Sequence, residues 1–176
     1  SSAASDVYKR QSFSIPVSIL RPFNTYGPRQ SCRAVIPSII LQILNNNKKI
    51  SLGSLFPTRD FNFISDTCEA FEEICLSEKT TGKILNSASE YEISIGDTAK
   101  LIAQIMNSNI EIISEDIRLR PENSEVNRLF GDSSQLQRLT NWYPKYKEKD
   151  GFKRGLEETI EWFSNNKNNI LYGDKN

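Results

Sequence analysis

Apolar residues recur along this chain with two alternating periods. PVSIL (16–20), KISLG (49–53), FNFIS (61–65), ILNSAS (84–89) and IEIIS (110–114) are short runs with β-branched or aromatic side chains, the pattern of strands. Between them, apolar positions fall three or four residues apart. In AVIPSIILQILNN (34–46), Ile36, Ile39, Ile40, Ile43 and Leu44 share one face of a predicted helix. Pro37 sits in its first turn, where a missing N–H removes no intrahelical bond. DTCEAFEEICLSEK (66–79) predicts a second helix, with Asp66 as N-cap and Cys68, Phe71, Ile74 and Cys75 facing inward. YEISIGDTAKLIAQIMN (91–107) passes from strand to helix, and Ser94 with Asp97 has capping-box spacing. SSQLQRLTNW (133–142) predicts a short helix and WYPKY (142–146) a turn. GFKRGLEETIEWFSNN (151–166) predicts a last helix with Phe152, Leu156, Ile160 and Phe163 inward. This alternation predicts an α/β fold. RPFNTYGPRQ (21–30), SLFPTRD (54–60) and DIRLRPENSEV (116–126), rich in proline, glycine and charge, are predicted to be irregular.

Composition narrows the function classes. Of 176 residues, 38% are hydrophobic and 25% charged, as in one ordinary globular unit. Lys plus Arg and Asp plus Glu number 22 each, so no global field favours nucleic acid or an anionic membrane. No apolar run approaches the ~20 residues of a membrane span. Histidine is absent, which removes the commonest metal ligand and general base. Cys32, Cys68 and Cys75 form no CxxC motif and are expected as small buried thiols of a reducing cytoplasm.

The segment SSAASDVYKRQ (1–11) carries no hydrophobic period. It resembles the in-frame translation of a sequencing-library transposon adapter and is set aside from fold reasoning as an assembly scar. On that reading, Ser12 onward is the back part of a longer protein: residues 12–165 the folded portion, 166–176 an Asn/Lys-rich frayed tail.

Three polar clusters stand apart from the packing residues: RPFNTYGPRQ, the TRDF stretch with Arg59 and Asp60, and RLRPEN (118–123). Each places arginine beside proline or near glycine. Guanidinium forks match phosphate oxygens bidentately, so three such segments converging would clamp a pyrophosphate. Surface ion pairs are the alternative, each contributing about 0–1 kcal/mol.

The order of RPFNTYGPRQS-x-RAVIP, GSL-x-PTRDFNF, YEISIGD, RPE-x-SEV and NWYPKY…GLEETIEWF resembles the C-terminal half of extended short-chain dehydrogenase/reductases acting on nucleotide sugars. The most similar subgroup is the NAD-dependent 4,6-dehydratases of the legionaminic-acid type. The resemblance implies the last strands of a Rossmann-type fold plus the mixed α/β substrate-binding subdomain. It implies the Pro22 and Phe23 backbone beside the nicotinamide of NAD and Asn24 on the diphosphate of a nucleotide-diphosphate sugar. Ala34, Val35 and Ile36 would pass the base, and Gly53 would allow close backbone approach. Arg59 and Arg120 would clamp the diphosphate, unless Arg59 only pairs with Asp60 or Asp66. Arg118 is a weaker candidate. Arg29 and Arg33 could serve ligand or loop, and Glu122 a ribose hydroxyl or the loop backbone. Trp142, Trp162 and Phe163 read as packing residues, and Glu157, Glu158 and Glu161 as a solvated face.

The family's Gly-rich NAD turn and its Tyr-x-x-x-Lys base are not found in this stretch. Tyr143 and Lys147 match the second only by spacing, in a proline-containing turn. The resemblance therefore implies an inactive substrate-binding half, whose complete form oxidises sugar C4 with NAD, eliminates water across C5 and C6, and returns hydride to C6. A 4-epimerase half and a stand-alone nucleotide-sugar-binding module are the alternatives, and a homodimer is expected of the complete protein.

Overall fold

The computed structural model describes residues 15–114 and 126–165. In chain order these form β1 (Ile19–Pro22), β2 (Asn24–Tyr26), α1 (Val35–Leu44), β3 (Lys49–Leu52), β4 (Thr58–Phe63), α2 (Ile64–Leu76), β5 (Ile84–Ser87), β6 (Glu92–Ser94), α3 (Ile95–Ile105), β7 (Glu111–Ser114), β8 (Arg128–Leu129), α4 (Ser134–Leu139) and α5 (Glu148–Ser164).

The strands pair across long sequence distances. β1 runs parallel to β5, and β3 parallel to β7. β4 is the hub: its C-terminal half pairs parallel with β2, while its N-terminal half pairs antiparallel with β6 and parallel with β8. Short parallel pairs joined through helices are the mark of an α/β architecture.

Two stretches expected to be irregular are strands. Asn24–Tyr26 lies within RPFNTYGPRQ, and Thr58–Asp60 within SLFPTRD. Local proline and glycine punctuate both, yet partners far along the chain supply the ladder, and tertiary pairing overrides local propensity. In β1, Ile19 N donates to Lys83 O (3.0 Å) and Phe23 N to Ser87 O (2.9 Å). Odd-numbered N–H groups therefore face β5, and Pro22 sits where its missing donor would point away from that partner.

The larger core joins Tyr26, Phe61, Phe63, Phe152 and Leu156 to the inward isoleucines of α1 and Ile102 of α3. Tyr26 meets Phe63 and Phe152 edge-on, both centroids at 5.3 Å. Pro37 is in the first turn of α1, and Ser94 caps α3 by accepting Asp97 N at 3.0 Å, both as the sequence predicted. A smaller core sets Ala70 and Ile74 of α2 against Leu85, Leu136 and Trp142.

The inward face of α2 differs from expectation. The helix starts at Ile64, so Asp66 lies in its first turn and is not the N-cap. Asp66, Thr67, Ala70 and Ile74 are buried, whereas Cys68 and Cys75 are exposed and Phe71 is 48% exposed. Two buried polar residues explain the rotation: Asp66 Oδ2 accepts Tyr146 N at 2.9 Å, and Thr67 Oγ1 accepts from Asn62 Nδ2 at 2.8 Å. The expectation of buried thiols at Cys68 and Cys75 fails with the same rotation; all three cysteines are free. Among the described residues, no helix is long and apolar enough to cross a membrane.

A candidate ligand-binding cleft

A cleft of about 410 Å³ opens where β2, β4, α1 and the end of β3 meet. β2 and β4 contribute Asn24, Arg59 and Phe61. The entry to α1 contributes Arg33, Ala34, Val35 and Ser38. Leu52, Gly53 and Ser54 follow β3, and Gln30 and Ile95 complete the lining. The structure thus gathers Asn24, Arg33, Ala34, Val35, Gly53 and Arg59, scattered over 36 sequence positions, around one space.

The other sequence candidates lie elsewhere. Ile36 is 1% exposed with its side chain in the core, so only its backbone could meet a ligand. Arg29 is exposed in the turn after β2, at φ 66°, and does not line the cleft. Arg118, Arg120 and Glu122 lie outside the described residues.

Strand geometry explains how β4 serves the site. Successive side chains on a strand point to opposite faces, so Arg59 and Phe61 face the cleft while Asp60 faces away. Arg59 Nη1 donates to Thr58 O (2.8 Å) and Val126 O (2.7 Å). Asp60, fully buried, accepts from Ser89 N and Ser89 Oγ (both 2.8 Å), Glu90 N (3.1 Å) and Gly131 N (3.2 Å). Burial pushes its carboxyl above the usual range, and the donated bonds oppose that push. Its own carbonyl accepts Asn24 Nδ2 at 3.3 Å. Asp60 therefore ties β4 to the β5–β6 turn, the segment before α4, and Asn24. The sequence reading weighed Asp60 only as an ion partner of Arg59; a strand assignment at 58–60 would have shown the two side chains diverging.

Gln30 and Ser38 are among the lining residues that the sequence motifs do not single out. Gln30 Nε2 donates to Thr25 O at 2.7 Å. Ser38 accepts from Gln42 Nε2 at 3.3 Å, and Gln42 Oε1 accepts Ser51 N at 2.9 Å. Spacing could have suggested Ser38, which stands one helical turn after Ala34.

Pro22 and Phe23 stand at the carboxyl end of β1, beside the cleft's Asn24. Open α/β sheets bind ligands at such ends. Gly131 backs Phe23 closely: a Cβ there would meet the Phe23 ring at 3.0 Å and Ala88 Cβ at 2.2 Å. Thr25 Oγ1 donates to Phe23 O at 3.1 Å and lies 3.1 Å from Thr67 Oγ1. This stretch is braced on both sides and leaves Pro22 exposed.

Among the described residues, the cleft lining holds two arginines, two side-chain amides and two serines, and no carboxylate, thiol, phenol or lysine. These side chains can bind anionic oxygen and apolar surface, but none of them is suited to proton transfer near neutral pH. Among the described residues no cluster could hold a metal ion.

A family model for GDP-mannose 4,6 dehydratase matches residues 4–155, beginning inside the segment set aside as a scar. The chain is 34% identical over 164 residues to human dTDP-D-glucose 4,6-dehydratase, covering 90% of this chain and 45% of that protein. It is 32% identical over 154 residues to a UDP-N-acetyl-alpha-D-glucosaminuronate decarboxylase of Bacillus cytotoxicus, covering 85% and 46%. The solved UDP-glucuronic acid 4-epimerase of Bacillus cereus, in complex with UDP-glucuronic acid and NAD, superposes with TM-score 0.77 at 25% identity, covering 88% and 47%. The chain thus spans about half the length of the curated relatives it matches. With its Rossmann-type α/β fold and its ordered motifs, the chain belongs to the GDP-mannose 4,6 dehydratase family of extended short-chain dehydrogenase/reductases.

Proposed function

We propose that the chain is the substrate-binding half of an NAD-dependent nucleotide-sugar 4,6-dehydratase, acting on a UDP- or GDP-N-acetylhexosamine, and that it is inactive alone. The observation that carries this reading is the cleft itself, which brings Asn24, Arg33 and Arg59 together with the Ala34–Val35 and Gly53 backbones and, among the described residues, offers no proton-transfer group.

Arg33 and Arg59 remain charged at any working pH and would hold the diphosphate, with Asn24 adding an amide. The apolar wall of Ala34, Val35 and Leu52 would take the base. Anchoring these non-reacting parts orients the sugar toward the end of β1, so binding energy is used to position the reacting carbons. Pro22 and Phe23 would meet the nicotinamide ring there, a placement supported by the braced backbone at the carboxyl end of β1. When bound, that group supplies reversible hydride transfer. Proton transfers would fall to residues outside this chain.

The resemblance to an epimerase complex supports a second reading, the same half of a 4-epimerase. Incubating the complete protein with UDP- and GDP-N-acetylhexosamines and weighing the products separates the two. A product lighter by one water supports dehydration; an isomer of unchanged mass supports epimerisation. Turnover by residues 12–176 alone would overturn the inactive-half reading.

A further inference from the structure

The cleft has one polar side chain on the α1 wall whose hydrogen-bonding role is fixed from behind. Ser38 lies four residues after Ala34, so both face the cleft from consecutive turns of α1. A helical serine hydroxyl commonly donates to the carbonyl four residues back. Here the polar contact of the Ser38 hydroxyl is with Gln42 Nε2, at 3.3 Å.

The orientation of that amide follows from its other end. Gln42 Oε1 accepts Ser51 N at 2.9 Å, and a flipped amide would turn N–H groups against an N–H. Gln42 Nε2 also reaches Ser51 O at 3.4 Å, so the amide spans both backbone groups of Ser51. One Ser38 lone pair is thus occupied by a donor, while its O–H is left to donate. A hydroxyl that accepts a bond becomes a better donor. Ala34, Val35, Leu52 and Ile95 around it carry no side-chain polar group. Ser54 also reaches the cleft, from the loop after β3, without a comparable brace.

We propose that Ser38 is a specificity-determining residue: with Gln42 holding it as an acceptor, its hydroxyl donates to a carbonyl oxygen on the ligand's base, so the cleft prefers keto bases such as uracil or guanine over adenine. This rests on the reading of the cleft as a nucleotide-diphosphate site. Guanine O6 and uracil O4 are acceptors at the edge where adenine carries its N6 amino group, so an adenine nucleotide in the same pose sets a donor against the Ser38 O–H in an apolar corner. One neutral hydrogen bond corresponds to a preference of roughly 3- to 10-fold.

The test is calorimetric titration of the complete protein with UDP, GDP and ADP, for the natural sequence and for Ser38→Ala, Ser38→Thr and Gln42→Glu. The natural protein should bind UDP or GDP several-fold more tightly than ADP. Ser38→Ala should remove most of that margin with ADP affinity unchanged, and Ser38→Thr should keep it. Gln42→Glu places an acceptor where Ser38 now meets a donor, drawing the hydroxyl away from the ligand, so it should flatten the ratio with Ser38 still in place. A role confined to bracing α1 predicts that Ser38→Ala weakens all three ligands alike, and that result overturns the assignment. Equal binding of all three by the natural protein overturns it too, while leaving the cleft reading standing. If none of the three binds, both fall.

Discussion

Replacing Asp60 by asparagine tests how much of the site's framework hangs on one buried carboxylate. The two oxygens receive four donors, three of them backbone N–H groups that cannot reverse polarity. An asparagine can turn its oxygen toward Glu90 N and Gly131 N, leaving its NH2 toward Ser89. The Ser89 hydroxyl can rotate to accept, but Ser89 N loses its acceptor inside the protein. A buried unsatisfied donor costs about 1–3 kcal/mol, and exchanging a charged acceptor for a neutral one weakens the two surviving bonds by roughly 1 kcal/mol each. Loss of the buried charge relieves desolvation and offsets part of this, since burial already raises the Asp60 pKa. The net expectation is about 2–4 kcal/mol of destabilisation. Urea unfolding followed by tryptophan fluorescence reads it directly, because Trp142 is 2% exposed and its Nε1 donates to Asp66 O at 2.8 Å. A loss below about 0.5 kcal/mol with unchanged denaturant slope would refute the hub role argued for Asp60.

Three further outcomes follow from the packing and charge. Gly155→Ala should destabilise despite a helix-propensity gain of about 1 kcal/mol, since the new Cβ would meet Tyr26 Oη at 2.2 Å and Phe63 Cδ2 at 2.9 Å; overpacking costs about 1–3 kcal/mol, and a raised melting temperature would contradict this. Ser94→Ala removes the cap on Asp97 N and should cost about 1 kcal/mol by chemical denaturation, whereas no change would mean α3 is held by its apolar face alone. Burial raises the Asp66 pKa, so its ionised form is disfavoured in the folded state: its contribution is fully present below the unfolded carboxyl value of about 4 and is lost as pH rises through the folded value. The stability of the natural protein relative to Asp66→Asn should therefore fall from acid toward neutral pH, and a rise over that interval would invert the assignment.

What the sequence made legible depended on the distance over which each feature is set. The α1 face, its early proline and the Ser94–Asp97 cap are local, and all three appear as read. β2 and the start of β4 were missed because their strand character comes from partners more than 30 residues away: Asn24 with Phe61, Arg59 with Ile93 and Asp60 with Glu92. The face of α2 was misread because apolar character favoured Cys68, Phe71 and Cys75, whereas Asp66 and Thr67, tied into buried hydrogen bonds, set the rotation. Motif resemblance, not periodicity, picked out the residues that line the cleft, and it could not reveal Ser38, whose role depends on an amide bridging α1 to β3.

The central claim is that the cleft binds a nucleotide sugar through its diphosphate, and affinity measured with and without that group tests it most directly. Titrating the complete protein with UDP and GDP against uridine and guanosine, for the natural sequence and for Arg59→Met, isolates the contribution of Arg59. The account predicts that the diphosphates bind at least tenfold more tightly than the nucleosides, and that Arg59→Met loses roughly tenfold or more toward the diphosphates alone, as for a charged hydrogen bond of about 1.5–3 kcal/mol. Equal affinity for nucleoside and diphosphate, or an Arg59→Met protein that binds UDP and GDP as the natural one does, would contradict it.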